Sequence, residues 1–467
     1  MEYILQQNEG LIIVRNAECI KAGLQHFLNH LMTMSKKKKL RNRKSNPQPP
    51  LKGVFQEKLP HFFVRHRMGV FLWGLVLLTL LIYSSGLNGP LVFDDMSNIE
   101  YNPHIRLKQL SIDGLKKAAF DSPAEFRPVA NISFALNYWL HGYKTFGFHL
   151  VNVLIHATTG IFLFFFIRLT LRMSTLGLKY ESHQWVAYIA TLIWLVHPLQ
   201  TQSVTYIVQR MNSMAAMFYV MSLFFYAHGR ISKFTKNRWL WFSGCVAAGI
   251  LAFGSKQTAA TLPFFIFIYE WYFLQDLNGP WLKRRMIPLA GVIIVFGALA
   301  LAYMGGHPLE RVLNDYNYRD FTLLERVLTQ FRVVVFYISL IGFPHPSRLN
   351  LDRDFALSHS LLDPVTTLLC MATIAGLLFL AWRLAPKQRL ISFCILWFLG
   401  NLMIESSVIG LEIIFDHRTY LPSMLVCLLT VILLYPLLRA KWLAIGVLAV
   451  VAMVFSFWTY ERNSVFR

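Results

Sequence analysis

Eleven apolar runs, each near the length needed to cross a bilayer, recur along this chain of 467 residues. They fall near 69–87, 148–167, 185–201, 204–228, 239–254, 259–275, 286–304, 361–381, 390–406, 419–438 and 442–460. A membrane span takes about 17–25 mostly apolar residues. Inside hydrocarbon every backbone amide needs a partner within the protein, which restricts such a run to helix. The chain is 55% hydrophobic and 15% charged, whereas soluble domains carry about 25% charged residues. The expected fold is therefore all-α, a polytopic membrane protein of about 11 transmembrane helices, with interfacial helices in the outer loops.

Charge orients these spans. Eleven Lys/Arg lie between Lys36 and Arg67, including "KKKKLRNRK", directly before the first span. Such a cluster anchors a cytoplasmic N-terminus and contacts anionic membrane lipids. This placement, beside a span, argues against a nucleic-acid partner despite the net charge of +21. The even-numbered connections then carry the positive charge, as at "RISKFTKNR" and Lys283–Arg285. Counting "QFRVVVFYISLIGFP" (330–344) as a span would put "RLAPKQR" outside, so it is expected to lie on or dip into the outer face. Long connections at 88–147, 305–360 and 405–418 face the extracytoplasmic side.

The expected organisation is a basic cytoplasmic segment at 1–68, a transmembrane domain at 69–460 and a short end at 461–467. Residues 1–33 contain no signal peptide and match no usable pattern. A misassigned start, with "MSKKKKLRNRK" at Met34 as the natural one, and a real extension both stay open. The five cysteines form no close pair, and four of them lie in or beside apolar runs, as small buried hydrophobes do.

Several residues that hydrocarbon penalises collect at the outer ends of spans. "NGPLVFDDMSNIE" puts Asp94 and Asp95 at the head of the longest outer loop. The same loop holds "SIDGLKKAAF", a short helix with Ser111 as its N-cap, and "FRPVANISFALNYWLHG", an interfacial helix preceded by Arg127. His197 and Arg210 flank the turn between the third and fourth spans, Lys256 sits in the next outer turn, and His417 and Arg418 in a later one. An ionisable group beside a span costs a few kcal/mol on insertion scales and marks a functional site by default. Arg127, Lys256 and Arg418 could also snorkel to lipid phosphate, and His149 and His156 read as packing histidines.

An acid pair facing cations at a lipid interface suits sugar transfer from a lipid-linked phosphate donor. A carboxylate accepts the acceptor hydroxyl's proton, and cations stabilise the charge growing on the departing phosphate. No cofactor is certain, although a divalent ion on Asp94 and Asp95 could share that duty. No phosphate loop, dinucleotide fingerprint, paired-Cys motif or His-Glu-x-x-His is present.

"FDD" resembles the first-loop acidic motif of GT-C integral membrane glycosyltransferases. Together with "FRPV…SFALNYWLHGY…GFHLVNVLIH", "HPLQTQSVTYIVQRMNSMAAMFY", "SKQTAATLP" and "DHRTYLPS", it is similar to the TPR-linked branch. That branch comprises the transmembrane-and-TPR O-mannosyltransferases and their bacterial relatives. The resemblance covers roughly 65–465. It implies a GT-C-like fold, a polyprenyl-phosphate sugar donor and inverting transfer to an extracytoplasmic protein, glycan or envelope-lipid acceptor. The expected setting is a bacterial inner membrane. By the same resemblance Asp94 and Asp95 are the catalytic candidates, one of them the base. The convergence of charges on the outer side makes Arg127, Arg210, Lys256 and Arg418 the candidate phosphate contacts, with His197 and His417 as lesser ones. Members of that branch usually carry Lys-Glu where this chain has Lys256-Gln257. They also usually continue into TPR repeats where 461–467 ends, and a truncation, a frameshift and a genuinely short variant all stay open as readings of this end. Alternative expectations are a transporter or flippase of lipid-linked sugars, and an inactive membrane scaffold.

Overall fold

The computed structural model describes residues 61–176, 183–303, 313–314, 316–437 and 441–465. The chain divides after Arg65, and the unit described is His66–Arg467. Most of the basic segment at 1–68 and the start of the 305–360 connection lie outside the described residues.

Among the described residues the protein is all-α, without a strand. The helices are α1 His61–Tyr83, α2 Ile112–Phe120, α3 Pro128–His141, α4 Thr145–Leu171, α5 His183–Leu195, α6 Arg210–Ile231 and α7 Thr235–Phe253. They continue as α8 Leu262–Tyr269, α9 Gly279–Tyr303, α10 Leu323–Gly342, α11 Thr366–Leu384, α12 Arg389–Leu402, α13 Tyr420–Leu437 and α14 Lys441–Ser464.

Five helical stretches among the described residues are long and apolar enough to cross a membrane. They are Met68–Gly86, Thr145–Leu171, Thr366–Leu384, Asp416–Leu434 and Ile445–Ser464, with shorter apolar helices at Gln184–Leu195 and Arg389–Leu402. The expectation of eleven spans goes beyond these. The run at 204–228 begins its regular helix only at Arg210, because 201–209 forms two short helical turns. The run at 259–275 is a composite, a 3-10 turn leading into α8 and then a π-helical turn at Glu270–Leu274.

Large rings fill the central core: Trp194, Tyr219, Phe265, Tyr269, Trp397 and Tyr420 are almost fully buried. A second cluster lies under the first loop, where Ile99, Ile105, Phe134 and Phe148 meet Tyr206, Ile207 and Met211. Ser111 caps α2 by accepting from Gly114 N at 3.1 Å, and α3 follows where the interfacial helix was expected.

Helix α10 is amphipathic and begins at Leu323, earlier than the apolar run at 330–344. A reciprocal capping box between Thr322 and Glu325 fixes its start. Its apolar face, Val333, Tyr337, Leu340 and Ile341, packs against Leu199, Phe398, Leu402 and Ile414.

Candidate active site

The acidic motif sits on a tight turn. Phe93 adopts φ 45°, a left-handed conformation that bulky residues rarely hold without compensation. The compensation comes from Asp95, whose side chain is 1% exposed. Its Oδ2 accepts from Val92 N at 3.1 Å and its Oδ1 from Val208 N at 2.7 Å. Asp95 therefore fastens the first loop to the turn ahead of α6. Burial pushes its carboxyl up to about 7 against these amide donors.

Asp94 is exposed. Its N–H donates to the Tyr206 hydroxyl at 2.9 Å, and its carbonyl accepts from Asn98 Nδ2 at 2.8 Å. The Tyr206 hydroxyl also faces the Asp94 carboxylate. Sequence left the two acids equivalent. Their surroundings separate them into one that holds the turn and one open to solvent.

Arg127 follows a second left-handed phenylalanine, Phe126 at φ 62°. Val129 N donates to Gly254 O at 2.9 Å, which ties the start of α3 to the turn bearing Lys256. Only glycine permits that approach, since a Cβ at 254 would lie 2.7 Å from the Val129 side chain. Arg127 Nη1 contacts Met211 Sδ at 2.9 Å, and its buried Nε has no hydrogen-bond partner. Burial lowers the Arg127 guanidinium, and Glu405 and Asp94 oppose this.

Lys256 Nζ bonds Glu405 Oε1 at 2.7 Å and Asn212 Oδ1 at 3.0 Å. Both charged partners are almost fully buried. Burial lowers the ammonium against the pull of Glu405. Burial alone would raise the Glu405 carboxyl, but Lys256, Arg418 and Arg127 together hold it below the usual range. Three cations thus act on this one acid.

Asn212 Nδ2 reaches His417 O at 2.8 Å, which links the Lys256 turn to the "DHR" turn. The His417 ring stacks on Phe415 at 5.1 Å, and its buried Nδ1 has no partner. Arg418 donates to Ile413 O at 3.1 Å and Glu412 O at 2.7 Å. Arg326 holds the whole 405–412 segment, donating to Glu405 O (2.8 Å), Ser407 O (3.3 Å), Glu412 O (3.0 Å) and Leu411 O.

Arg127, Lys256, His417 and Arg418 thus share one electrostatic neighbourhood with Glu405, and Arg127 links it to Asp94. Arg210 and His197 do not join it. The Arg210 guanidinium is fully buried and donates to Asn152 Oδ1 (2.6 Å), Asn137 Oδ1 (2.8 Å), Phe148 O (2.9 Å) and Ser133 O (3.2 Å). It also lies over the Phe134 ring at 4.7 Å. The His197 ring bridges Ile341 O at 3.0 Å and Leu199 N at 3.3 Å.

Both Asp95 oxygens accept backbone amides, which leaves Asp94 as the exposed carboxylate of the pair. Among the described residues, no three His, Cys, Asp or Glu side chains group closely enough to hold a metal.

Glu405, Asn212, Arg326 and Tyr206 were not singled out from sequence. Glu405 carried the same signal as the chosen cations, an ionisable residue at the end of an apolar run. It was hidden because the run was extended to 406, whereas α12 ends at Leu402.

The chain is similar to proteins named protein O-mannosyl-transferases. Tmtc3 of Drosophila melanogaster is 28% identical over 208 residues, 40% of this chain and 22% of that protein. TMTC2 of Homo sapiens is 26% identical over 327 residues, 65% of this chain and 38% of that protein. F38B6.6 of Caenorhabditis elegans is 30% identical over 167 residues, 33% of this chain and 23% of that protein. The chain spans less than two fifths of the length of these relatives. No protein-family model and no solved structure matches it.

Proposed function

We propose that the chain is a membrane glycosyltransferase of the GT-C type. It moves a sugar, with mannose the first candidate, from a polyprenyl-phosphate donor to a hydroxyl of an extracytoplasmic protein. The observation that carries this reading is the gathering of Arg127, Lys256, His417 and Arg418 around Glu405, with Arg127 joining that group to Asp94. The names of the similar proteins support the sugar and the acceptor class. The proposed setting is a bacterial inner membrane with the site on the extracytoplasmic side.

In this mechanism Asp94 is the general base. It is open to an acceptor, and Tyr206 orients it through its N–H and carboxylate. The acceptor oxygen attacks the sugar from the face opposite the phosphate, so the anomeric configuration inverts. Arg127, Lys256 and Arg418 meet the charge that gathers on the leaving phosphate, where fixed cations in a poorly solvated site act most strongly. Asp95 and Arg210 keep the first loop and the start of α6 in place without touching substrate.

The test is transfer of labelled mannose from a polyprenyl-phosphate donor by purified protein in proteoliposomes. Asp94→Asn should lower the rate by about 10²–10⁴-fold, the usual range for a positioned base, with membrane insertion unchanged. Full activity in Asp94→Asn would remove the base assignment. Movement of the labelled donor across the bilayer without transfer would instead identify a flippase.

A further inference from the structure

Glu405 lies among the groups that would hold an anion. Its carboxylate is 2.7 Å from Lys256 Nζ, and Arg418 and Arg127 act on it as well. Its main-chain carbonyl is held at 2.8 Å by Arg326, and the residue is 5% exposed. Neutralising one buried lysine needs one carboxylate facing one cation. This carboxylate faces three.

We propose that Glu405 is a positioning residue for the transfer, which holds Lys256 against Asn212 and sets the charge of the phosphate site so that the spent phosphate leaves. The inference rests on the reading of this site as one for a lipid-linked phosphate sugar. Arg127, Lys256, Arg418 and Arg326 outnumber the carboxylates of Glu405 and Asp94, so the site is positive opposite a singly charged phosphodiester and Glu405 lowers that charge by one. During transfer the bond from the sugar's anomeric carbon to the phosphate oxygen breaks, and its electron pair stays on the phosphate. The acceptor oxygen forms the new bond to that carbon, and its proton passes to Asp94.

The site is then one unit more positive, opposite a phosphate monoester of about −1.5 to −2. Ionised Glu405 keeps the site one unit less positive both before and after transfer. Without it one surplus cation would hold the product, because screening is weak in a buried site. Arg326 adds a further positive charge beside Arg418, spread over four carbonyls, which makes the one carboxylate at Glu405 weigh more. Asp416 is turned to Arg353 and Arg462.

The experiment compares wild type, Glu405→Gln and Glu405→Asp in nanodiscs, with polyprenyl-phosphate mannose as donor and polyprenyl phosphate as inhibitor. Glu405→Gln should bind polyprenyl phosphate about tenfold more tightly and lower the donor KM. Its steady-state kcat should fall by a similar factor, while the single-turnover rate stays within about threefold. Glu405→Asp restores the charge and should return product inhibition towards wild type. If Glu405→Gln does not fold, Glu405→Asp decides alone, through unchanged product inhibition despite the lost Lys256 contact. Weaker product binding in Glu405→Gln, or tighter binding in Glu405→Asp, would overturn the proposal. A wild-type protein that neither binds polyprenyl phosphate nor transfers sugar would instead overturn the functional reading beneath it.

Discussion

Two adjacent aspartates with the same chemistry end in different surroundings, Asp95 buried and Asp94 exposed. Asp95 keeps its proton in the folded protein up to about pH 7, whereas an unfolded aspartate ionises near 3.9. Between those values the folded state binds the extra proton, so stability falls as pH rises, by about 1.4 kcal/mol per unit from this group alone. Below the window the contribution is fully present, and above it no further change follows. Thermal unfolding in detergent across pH 4–8 should therefore slope less steeply in Asp95→Asn than in wild type up to pH 7, with the curves parallel above it. Parallel curves throughout would show that Asp95 ionises normally. The acid pair was legible in sequence because bilayers penalise charge near a span. Which acid was which depended on Val208, over a hundred residues away. Arg210 and His197 carried the same signal as Lys256, yet their polar atoms meet backbone carbonyls and amide side chains. Hydropathy marks a charged residue as costly without saying what it bonds.

At the scale of elements, apolar period and length located most helices, and their ends were set by caps and turns that hydropathy does not register. Helix α10 is the clearest case. Its apolar face was evident, but its first turn carries Arg326, which lies before the run that drew attention. Arg326 is fully buried and bonds four carbonyls of the segment leading to Arg418. A side chain in that position does for an irregular loop what a strand partner does for a sheet, satisfying oxygens that burial would otherwise leave unpaired. Arg326→Met removes every one of these donors while keeping much of the volume. The segment 405–415 should then become sensitive to limited proteolysis, and transfer should drop by about 10–100-fold through misplacement of Glu405 and Arg418. The assembled helices should still unfold at nearly the wild-type temperature, because α10 keeps its apolar contacts with α12. Arg326→Lys should rescue little, since one ammonium cannot reach carbonyls fanned around a planar guanidinium. Retained activity and unchanged proteolysis in Arg326→Met would show that the loop is held by other contacts.

For the whole molecule the question is which side of the membrane the site faces. Helix α6 runs from Arg210 to Arg230, a rise of about 30 Å, close to the thickness of the hydrocarbon core. Its first end lies beside the first loop. Its last end carries Arg230, paired with Glu270 at 2.6 Å, and leads into Lys233, Lys236 and Arg238. The two ends differ in kind. One gathers cations around buried acids, and the other offers basic residues in a short connection of the sort that stays cytoplasmic. If that bias governs insertion, Ser97, on the turn after Asp94, faces outward and Lys236 faces the cytosol. Single cysteines at those positions, with Cys19 and Cys370 changed to Ser, test the assignment against a membrane-impermeant maleimide. The remaining cysteines are buried. Ser97→Cys should react in intact bacterial spheroplasts, and Lys236→Cys only after permeabilisation. The reverse pattern would put the phosphate site on the cytosolic leaflet and require a donor and acceptor presented there. Labelling of both positions in intact cells would mean that α6 does not cross the bilayer, and the span count would have to be rebuilt around the five longest apolar helices.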